Sequence, residues 1–176
     1  MLAHNVAVLL KSSLGTARTL EIDETRENLG TDLPLRGPLR GKARFTRTPS
    51  GILTRCRITG VVALECARCL EAFDWPFEVS FEEEFFPSLS ISTGTPLPPS
   101  EDDALRIDER HVLDLAEITR QYVTTAVPIQ PVCRPDCAGL CPGCGTNLNA
   151  GRCACTPDPQ AKPLALLAGL LDKDEV

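Results

Sequence analysis

Residues 133–155 read CRPDCAGLCPGCGTNLNAGRCAC, and this segment holds six of the nine cysteines in the 176-residue chain, spaced C-x3-C-x3-C-x2-C-x8-C-x-C. Zinc binds four ligands in a tetrahedron, and a tight turn between two nearby cysteines lets both sulfurs reach one ion. The run CPGCG at 141–145 has the composition of such a turn, in which Gly143 and Gly145 can adopt positive φ. The segment therefore predicts a metal site.

Upstream of this segment, the run ECARCLEAF contains a further C-x-x-C pair, Cys66 and Cys69. The simplest grouping gives two closed four-cysteine sites. One joins Cys141, Cys144, Cys153 and Cys155, and the other joins Cys66, Cys69, Cys133 and Cys137. A single site that combines Cys66 and Cys69 with another pair is the alternative, so we expect one or two zinc ions. Thiol–disulfide exchange also uses C-x-x-C turns, but a redox pair needs fewer thiols than are present here.

Residues 36–86 alternate apolar and polar side chains and predict a three-stranded antiparallel meander. Its first strand puts Leu39, Gly41, Ala43 and Phe45 on one face, and a turn at 48–51 leads into the second strand. If Cys66 lies opposite Cys69, then Val62 faces Phe73 and Ile58 faces Phe77. Cys56 alternates in phase with Ile58 and Val62, which indicates a buried apolar role rather than a metal ligand.

The opposite face of this meander is rich in cations. It carries Arg40, Lys42, Arg44, Arg55 and Arg57. The first hairpin sets Lys42 near Arg57 and Arg44 near Arg55, and like charges directly across a sheet repel each other. Glu78 on the third strand relieves only part of this repulsion. One interpretation is a solvated face with some salt bridging; the other, which we adopt as a hypothesis, is that the five cations form an anion site that a phosphate backbone completes.

The remaining segments are less informative. Residues 1–32 contain short elements of uncertain type at Val6–Leu10 and Thr19–Ile22 and a charged loop at Asp23–Asp32. Residues 87–103 resemble a mobile linker. Asp114 and Glu117 form a capping-box pattern for a helix that reaches about Val127. The apolar stripe of this helix is Leu115, Ile118, Tyr122 and Ala126, and a second stripe, at Leu164, Leu167, Ala168 and Leu171, predicts a C-terminal helix.

Together these patterns predict an α+β fold, with an antiparallel β-sheet core, one or two packed helices and a cysteine-rich zinc-binding C-terminal segment. Residues 1–127 would form the sheet core with its helix, and residues 128–176 the zinc-knuckle segment with the C-terminal helix.

Composition excludes several classes of function. The net charge is −6, and the chain has two histidines and no apolar run near the length of a membrane span, about 18 residues. We find no signal-peptide pattern and expect a cytoplasmic protein, in which paired cysteines bind metal more often than they form disulfides. There is no H-x-E motif, Walker loop or nucleophile elbow. We therefore expect neither enzymatic activity nor a small-molecule substrate.

Several segments together resemble the YceD-like family, the large ribosomal RNA subunit accumulation proteins. They include CARCLEAF, FEEEF, LDLAEI and CRPDCAGLCPGCGTNLN, and the resemblance runs from about Leu35 to Leu171 apart from the linker. It implies a cytoplasmic bacterial or organellar factor for the accumulation of large-subunit rRNA that acts in ribosome assembly. We expect it to bind large-subunit rRNA, a pre-ribosomal particle or a ribosomal protein, and the five cations would then contact rRNA phosphates. The alternatives are an adaptor or chaperone for a ribosomal protein without direct RNA contact, and a thiol-redox protein.

Overall fold

The computed structural model describes residues 2–24, 29–98 and 103–155. In chain order, its elements are β1 (Ala3–Asn5), α1 (Ala7–Leu10), β2 (Ala17–Glu24), β3 (Leu39–Arg47), β4 (Ile52–Glu65), β5 (Ala72–Pro87), β6 (Arg106–Ile107), β7 (Val112–Asp114) and α2 (Ala116–Ala126). Strands β2 to β6 form one sheet in sequential order, antiparallel except for the β5–β6 pair. Strands β1 and β7 form a separate two-stranded ribbon.

The five-stranded sheet buries one face and exposes the other. Buried side chains recur at every second position of its long strands, among them Ile22, Ala43, Phe45, Ile58, Val62, Val79 and Phe85. The helices and the ribbon contribute Leu9, Leu113, Leu115, Ile118 and Val123 to the same core. Full burial of one such side chain contributes about 1.5–3 kcal/mol to folding. The α+β fold with an antiparallel sheet core and packed helices is confirmed.

The predicted meander corresponds to β3, β4 and β5, but the second hairpin has a different register. Val62 pairs with Trp75 and Ile58 with Val79, two residues beyond the expected partners Phe73 and Phe77. The last strand pair is Glu65 with Ala72, and residues 66–71 form the loop between the strands. Because side chains alternate with a period of two, a shift of two residues leaves every side chain on its predicted face.

Strand β2 was not expected at this length. The short element predicted at Thr19–Ile22 is an eight-residue strand, and Asp23 belongs to it rather than to a charged loop. β2 pairs with β3 along its whole length, with Glu21 opposite Lys42 and Asp23 opposite Arg40. This neighbour changes the electrostatics of the exposed face.

Helix α2 ends close to the predicted position but begins differently. Leu115 is its N-cap residue, and Asp114 Oδ1 still accepts a hydrogen bond from the Ala116 N–H (2.9 Å). Glu117 binds Arg120 instead of returning to the cap, so the expected capping box does not form. The buried residues of α2 are Ile118, Thr119 and Val123, so the buried face is rotated relative to the predicted apolar stripe, and Ala126 is exposed.

Part of the segment predicted as a linker has regular local contacts. The Ser88 N–H donates to the Ile107 carbonyl (3.0 Å), and Leu89 bridges to Pro96. The predicted C-terminal helix with Leu164 and Leu171 lies outside the described residues. None of the helices described is long and apolar enough to cross a membrane.

Candidate metal centres

The two C-x-x-C pairs adopt the same backbone turn. In the first, the Leu70 N–H donates to the Cys66 carbonyl (2.9 Å); in the second, the Gly145 N–H donates to the Cys141 carbonyl (2.8 Å). The residue after each pair has positive φ, 59° at Leu70 and 73° at Gly145. Gly143 does not share this conformation, so the sequence-based expectation holds for Gly145 alone.

A second hydrogen bond closes each turn. The Cys66 N–H donates to the Glu71 carbonyl (2.9 Å), and the Cys141 N–H donates to the Thr146 carbonyl (2.8 Å). These bonds hold both cysteines of a pair on one side of the turn, where their sulfurs can reach the same ion. The CPGCG run and the ECARCLEAF run therefore form equivalent turns, although only the former has glycine at the position of positive φ.

Four cysteines meet at the tip of the β4–β5 hairpin, and we call them the hairpin cluster (Cys66, Cys69, Cys133 and Cys137). Their Sγ atoms all lie within 4.8 Å of one another. The Cys66–Cys137 and Cys69–Cys133 sulfur pairs are each 3.8 Å apart. A tetrahedral ion with metal–sulfur distances of about 2.3 Å has sulfur–sulfur edges of about 3.8 Å. The cluster thus has the dimensions of a tetrahedral thiolate site.

The other four cysteines form the tail cluster (Cys141, Cys144, Cys153 and Cys155), whose Sγ atoms also lie within 4.8 Å of one another. Its exposure differs from that of the hairpin cluster. Cys144 and Cys155 are exposed, whereas Cys66 is fully buried. All nine cysteines are free thiols, so neither cluster is a set of disulfides. Two cysteine clusters could therefore hold metal ions.

Hydrogen-bond donors stabilise thiolates in the hairpin cluster. The Cys69 amide, with those of Cys133 and Arg68, lowers the pKa of the Cys66 thiol to about 6. The Asn149 side chain lowers the pKa of Cys137, while burial raises the pKa of Cys133 to about 12. In the metal-free cluster, only part of the thiols would then ionise, and a divalent cation would displace the remaining protons.

The tail cluster has a similar division between acidic and weakly acidic thiols. The Thr146 hydroxyl lies 3.2 Å from Cys144 Sγ and, with the Thr146 amide, lowers the pKa of Cys144 to about 6. The hydrogen bond to Cys144 raises the pKa of Cys155 to about 12. This mixture suits a site that binds a cation with release of protons.

Cys56 is excluded from both clusters. It is 4% exposed on the inward face of β4, and burial raises its pKa to about 12. A neutral thiol in this environment packs as a small apolar side chain. Its predicted role in the core is confirmed.

Asn147 and Asn149 connect the two clusters. Asn149 Nδ2 donates to Cys137 Sγ (3.3 Å) in the hairpin cluster, and Asn149 Oδ1 accepts from the Ala138 N–H (2.8 Å). Asn147 Nδ2 donates to Glu71 in the hairpin loop (3.0 Å). Both asparagines lie in the chain between Cys144 and Cys153 of the tail cluster. The segment between Cys144 and Cys153 of the tail cluster thus also supplies the hydrogen bonds to Cys137 and to the hairpin loop.

Arg68 fixes the cysteine-rich segment to the hairpin. Its Nη1 donates to the carbonyl of Cys137 (3.1 Å) and lies 3.4 Å from that of Pro135. Gly139, at φ 73°, lies against the Arg68 backbone, where an added Cβ would be 3.1 Å from the carbonyl oxygen. The contact therefore favours glycine at position 139 for two reasons: the positive φ, and the short distance between its backbone and that of Arg68.

Sequence reasoning assigned no role to Arg68, Asn147 or Asn149. These residues lie within the runs CARCLEAF and CGTNLN that carry the family resemblance, and that was the available signal. Spacing alone identifies metal ligands but not the groups that hydrogen-bond to them, because those contacts depend on the tertiary approach of the two segments.

We expect Asn149→Asp to weaken metal binding at the hairpin cluster by about 10- to 100-fold, the usual effect of removing a group that supports a ligand. The variant keeps an acceptor for the Ala138 N–H but replaces the donor to Cys137 with a carboxylate. Competition with a chromogenic chelator measures the affinity. Asn5→Asp is the control, since it adds the same charge at the β1–β7 ribbon. Equal affinities of the two variants would contradict the role of the Asn149 donor.

The five cations proposed to contact RNA lie on the exposed face of the sheet, as expected. Lys42 is opposite Arg57, and Arg44 is opposite Arg55. Four of the five, however, have carboxylate partners. The pairs are Arg40 with Asp23 (3.7 Å), Lys42 with Glu21 (2.9 Å), Arg55 with Glu82 (2.7 Å), and Arg57 with Glu78.

This pairing changes the argument for RNA contact. The repulsion across the β3–β4 pair is compensated from both sides, by β2 and by β5, so a bound polyanion is not needed to relieve it. Arg44 is exposed and has no carboxylate partner among the described residues. RNA contact by these cations stays a prediction, but the argument from uncompensated repulsion was wrong.

Comparison with known proteins identifies related sequences. The family model described as "Large ribosomal RNA subunit accumulation protein YceD" matches residues 54–171 of this 176-residue chain. An uncharacterized protein of Mycobacterium tuberculosis is 38% identical over 106 residues, which make up 60% of this chain and 49% of that protein. An uncharacterized protein of Mycobacterium leprae is 30% identical over 111 residues, 63% of this chain and 49% of that protein.

A more distant relative is the uncharacterized protein YlbN of Bacillus subtilis, 26% identical over 126 residues, which cover 72% of this chain and 69% of that protein. The chain spans about half the length of the mycobacterial relatives that it matches. No solved structure matches the chain.

Proposed function

The chain belongs to the YceD family of large ribosomal RNA subunit accumulation proteins, and from this premise we propose that it is a zinc-binding, non-enzymatic factor that supports assembly of the large ribosomal subunit in the cytoplasm. The family match carries the biological part of the proposal. The two four-cysteine clusters support the part that concerns the metal.

Zinc is the metal that we propose for both clusters. Four thiolates at tetrahedral spacing suit zinc, and iron is the other metal that commonly occupies such a site. Metal analysis of protein purified without added metal should find close to two equivalents of zinc. Iron would be recognised by its visible absorption. Less than about half an equivalent of any metal, with thiols that cycle to disulfides, would favour the redox alternative.

The proposed role of the metal is structural. Each cluster supplies four protein ligands, and a closed site of this kind has no open position for water or substrate. In the hairpin cluster, two ligands come from the loop between β4 and β5 and two from the segment at 133–137. An ion here would join the cysteine-rich segment to the sheet.

For the partner, we propose a protein component of the pre-ribosomal particle rather than bare RNA. The carboxylates on both sides of the cationic strands support this choice, because phosphates would have to compete with Glu21, Asp23, Glu78 and Glu82. Direct binding of rRNA by Arg40, Lys42, Arg44, Arg55 and Arg57 is the second candidate. Arg44, which is exposed and has no carboxylate partner in the described part of the chain, is the observation that favours it.

Replacing Lys42, Arg44 and Arg57 with glutamine distinguishes these candidates. The measured quantity is the slope of the logarithm of the binding constant for large-subunit rRNA against the logarithm of the salt concentration. If the cations contact phosphates, the magnitude of this slope should fall by about two to three units. Since two of the three have carboxylate partners, we expect a change below about one unit. A variant with glutamine at Lys11, Arg18 and Arg110 removes the same charge elsewhere. If the slope falls by about two units in the first variant and not in the control variant, direct RNA contact by the cations would be supported instead.

The function itself is tested by depletion in cells and complementation. Loss of the protein should lower the ratio of mature large-subunit to small-subunit rRNA, and the wild-type chain should restore it. Cys66→Ser, which removes a ligand of the hairpin cluster, should restore it poorly, whereas Cys56→Ser should restore it well if expressed equally. An unchanged ratio of large-subunit to small-subunit rRNA after depletion would contradict the proposal.

A further inference from the structure

Strand β2 is the edge of the five-stranded sheet and pairs with β3 alone. For residues 17–23, the backbone hydrogen bonds of the described chain include none on the side away from β3. The Arg47 N–H donates to the Thr16 carbonyl (2.8 Å), which fixes which residues of this strand face β3. Because the direction alternates along an antiparallel pair, the N–H groups of Thr19, Glu21 and Asp23 point away from the sheet. These N–H groups could donate hydrogen bonds to the carbonyls of a strand added at this edge.

A cleft of about 290 Å³ lies beside this edge on the core side. Its lining includes Val8 and Leu9 of α1, Leu20 of β2, Phe45 of β3 and His4 of β1. Val8 is 81% exposed, and the His4 Nε2 atom is buried without a hydrogen-bond partner in the described chain. Alternate side chains of a strand added to β2 would point into this cleft, where apolar groups would be buried.

The other face of β2 carries a row of acidic side chains. Glu21 and Asp23 stand at the sheet edge, each next to a cation of β3, and each side chain remains about 70% exposed. The residues directly across from them on an added strand would occupy the outer flank of these carboxylates. Opposite charges at such cross-strand positions stabilise pairing, and like charges destabilise it. Each carboxylate has a cation of β3 on its inner side and is exposed on its outer side, so a cation of the new strand could pair with it there, whereas an acidic residue would be repelled.

We propose that the β2 edge is a docking site for a basic, extended polypeptide segment of a partner protein, which adds as a sixth strand with cations next to Glu21 and Asp23 and apolar side chains in the adjacent cleft. This goes beyond the proposed function, because it concerns a surface remote in sequence from both cysteine clusters. It does not depend on the identity of the metal or on the effect of the protein on rRNA.

The test uses a blocked ten-residue peptide of alternating lysine and valine, labelled for fluorescence anisotropy, with the full-length protein. We expect saturable binding, and slower hydrogen exchange of the Thr19, Glu21 and Asp23 amides in the complex. A peptide of the same composition with its lysines and valines in two blocks should bind at least about tenfold more weakly, because it cannot present separate faces.

Two pairs of variants separate strand addition from charge attraction. Thr19→Pro removes an outward N–H without removing a bond to β3 and should weaken binding about tenfold, while Thr19→Ala should not. Glu21→Gln with Asp23→Asn should weaken binding about three- to tenfold. The control pair, Glu78→Gln with Glu82→Gln, removes the same charge from β5 on the same face of the sheet and should have little effect.

Several outcomes would overturn the proposal. Equal weakening by the two charge variants would mean general attraction to the acidic surface. No binding at low salt would mean that the edge carboxylates only keep the strand from pairing. Protection of the three amides in the free protein would show another occupant: a second copy if sedimentation finds a dimer, or residues 156–176 if truncation after Cys155 removes the protection.

Discussion

Cys66→Ser is expected to lose about one equivalent of metal and to release residues 128–155 from the sheet, while strands β2 to β5 stay folded. Cys66 is fully buried and lies 3.8 Å from Cys137 across the hairpin cluster. Its sulfur also accepts the Cys133 N–H (3.4 Å), so the substitution removes a ligand and an acceptor together. Structural zinc contributes about 10 kcal/mol or more in small zinc domains, which is comparable with the whole stability of a domain.

Elemental analysis measures the metal, and limited proteolysis within residues 128–140 reports the release of the segment. Cys56→Ser is the matched control, since Cys56 lies on β4, the strand that leads to Cys66, is also buried and belongs to neither cysteine cluster of the described residues. It should reduce the free energy of unfolding by about 1–2 kcal/mol because a buried hydroxyl replaces a thiol, and it should keep both equivalents of metal. Two equivalents in Cys66→Ser, or one in Cys56→Ser, would contradict the assignment of ligands.

An excess of chelator is expected to remove the two metal ions in separate phases, with the tail cluster at least about tenfold faster. In the tail cluster, Cys144 and Cys155 are exposed, whereas in the hairpin cluster only Cys133 is more than 5% exposed. A chelator can attack the exposed sulfurs directly, but the buried ones require local opening of the segment. Release is followed by the absorbance of a coloured chelator complex.

The fast phase is assigned with Cys141→Ser, which should abolish it, leave the slow phase unchanged and unfold the tail locally. Cys66→Ser should abolish the slow phase. A single phase in the wild-type protein that accounts for both equivalents would show that the clusters open together, and the link through Asn147 and Asn149 would then be stronger than their separate exposures suggest.

The alternation of residues in β3 to β5 was sufficient to predict the meander and its buried face. Phe45, Ile58 and Val62 are buried as expected, because a period of two fixes the face without knowledge of the partner. The hairpin register was two residues off because the Cys66–Cys69 turn takes six residues, 66–71, to reverse the chain. Apolar side chains paired equally well in either register, so pattern matching could not distinguish them.

Strand β2 could not be predicted in the same way. Only Leu20 and Ile22 alternate as apolar residues, and Arg18, Thr19, Glu21 and Asp23 are all exposed. An edge strand with one charged face resembles a loop until its partner is known. Without β2, the charges of Arg40 and Lys42 were predicted to be uncompensated, because their counter-charges, Asp23 and Glu21, lie on that strand.

The grouping of the cysteines was predictable because it depended on short spacings, and the structure brings together the two sets expected. The supporting contacts of Arg68 and Asn149 were not predictable, since they arise where segments distant in the chain meet. The left-handed conformation of Leu70 was also unexpected; only its equivalence to Gly145 within the turn accounts for it.

The hairpin cluster has a consequence for the order of events during synthesis. Its two halves are far apart in the sequence, with Cys69 and Cys133 separated by 64 residues. At translation rates of about 5–20 residues per second, Cys69 is made roughly 3 to 13 s before Cys133. During that interval the nascent hairpin offers an incomplete pair of thiolates. The sheet strands are all available before the pair is completed, so closure of the metal site is a late step that reports that the whole sheet has been made.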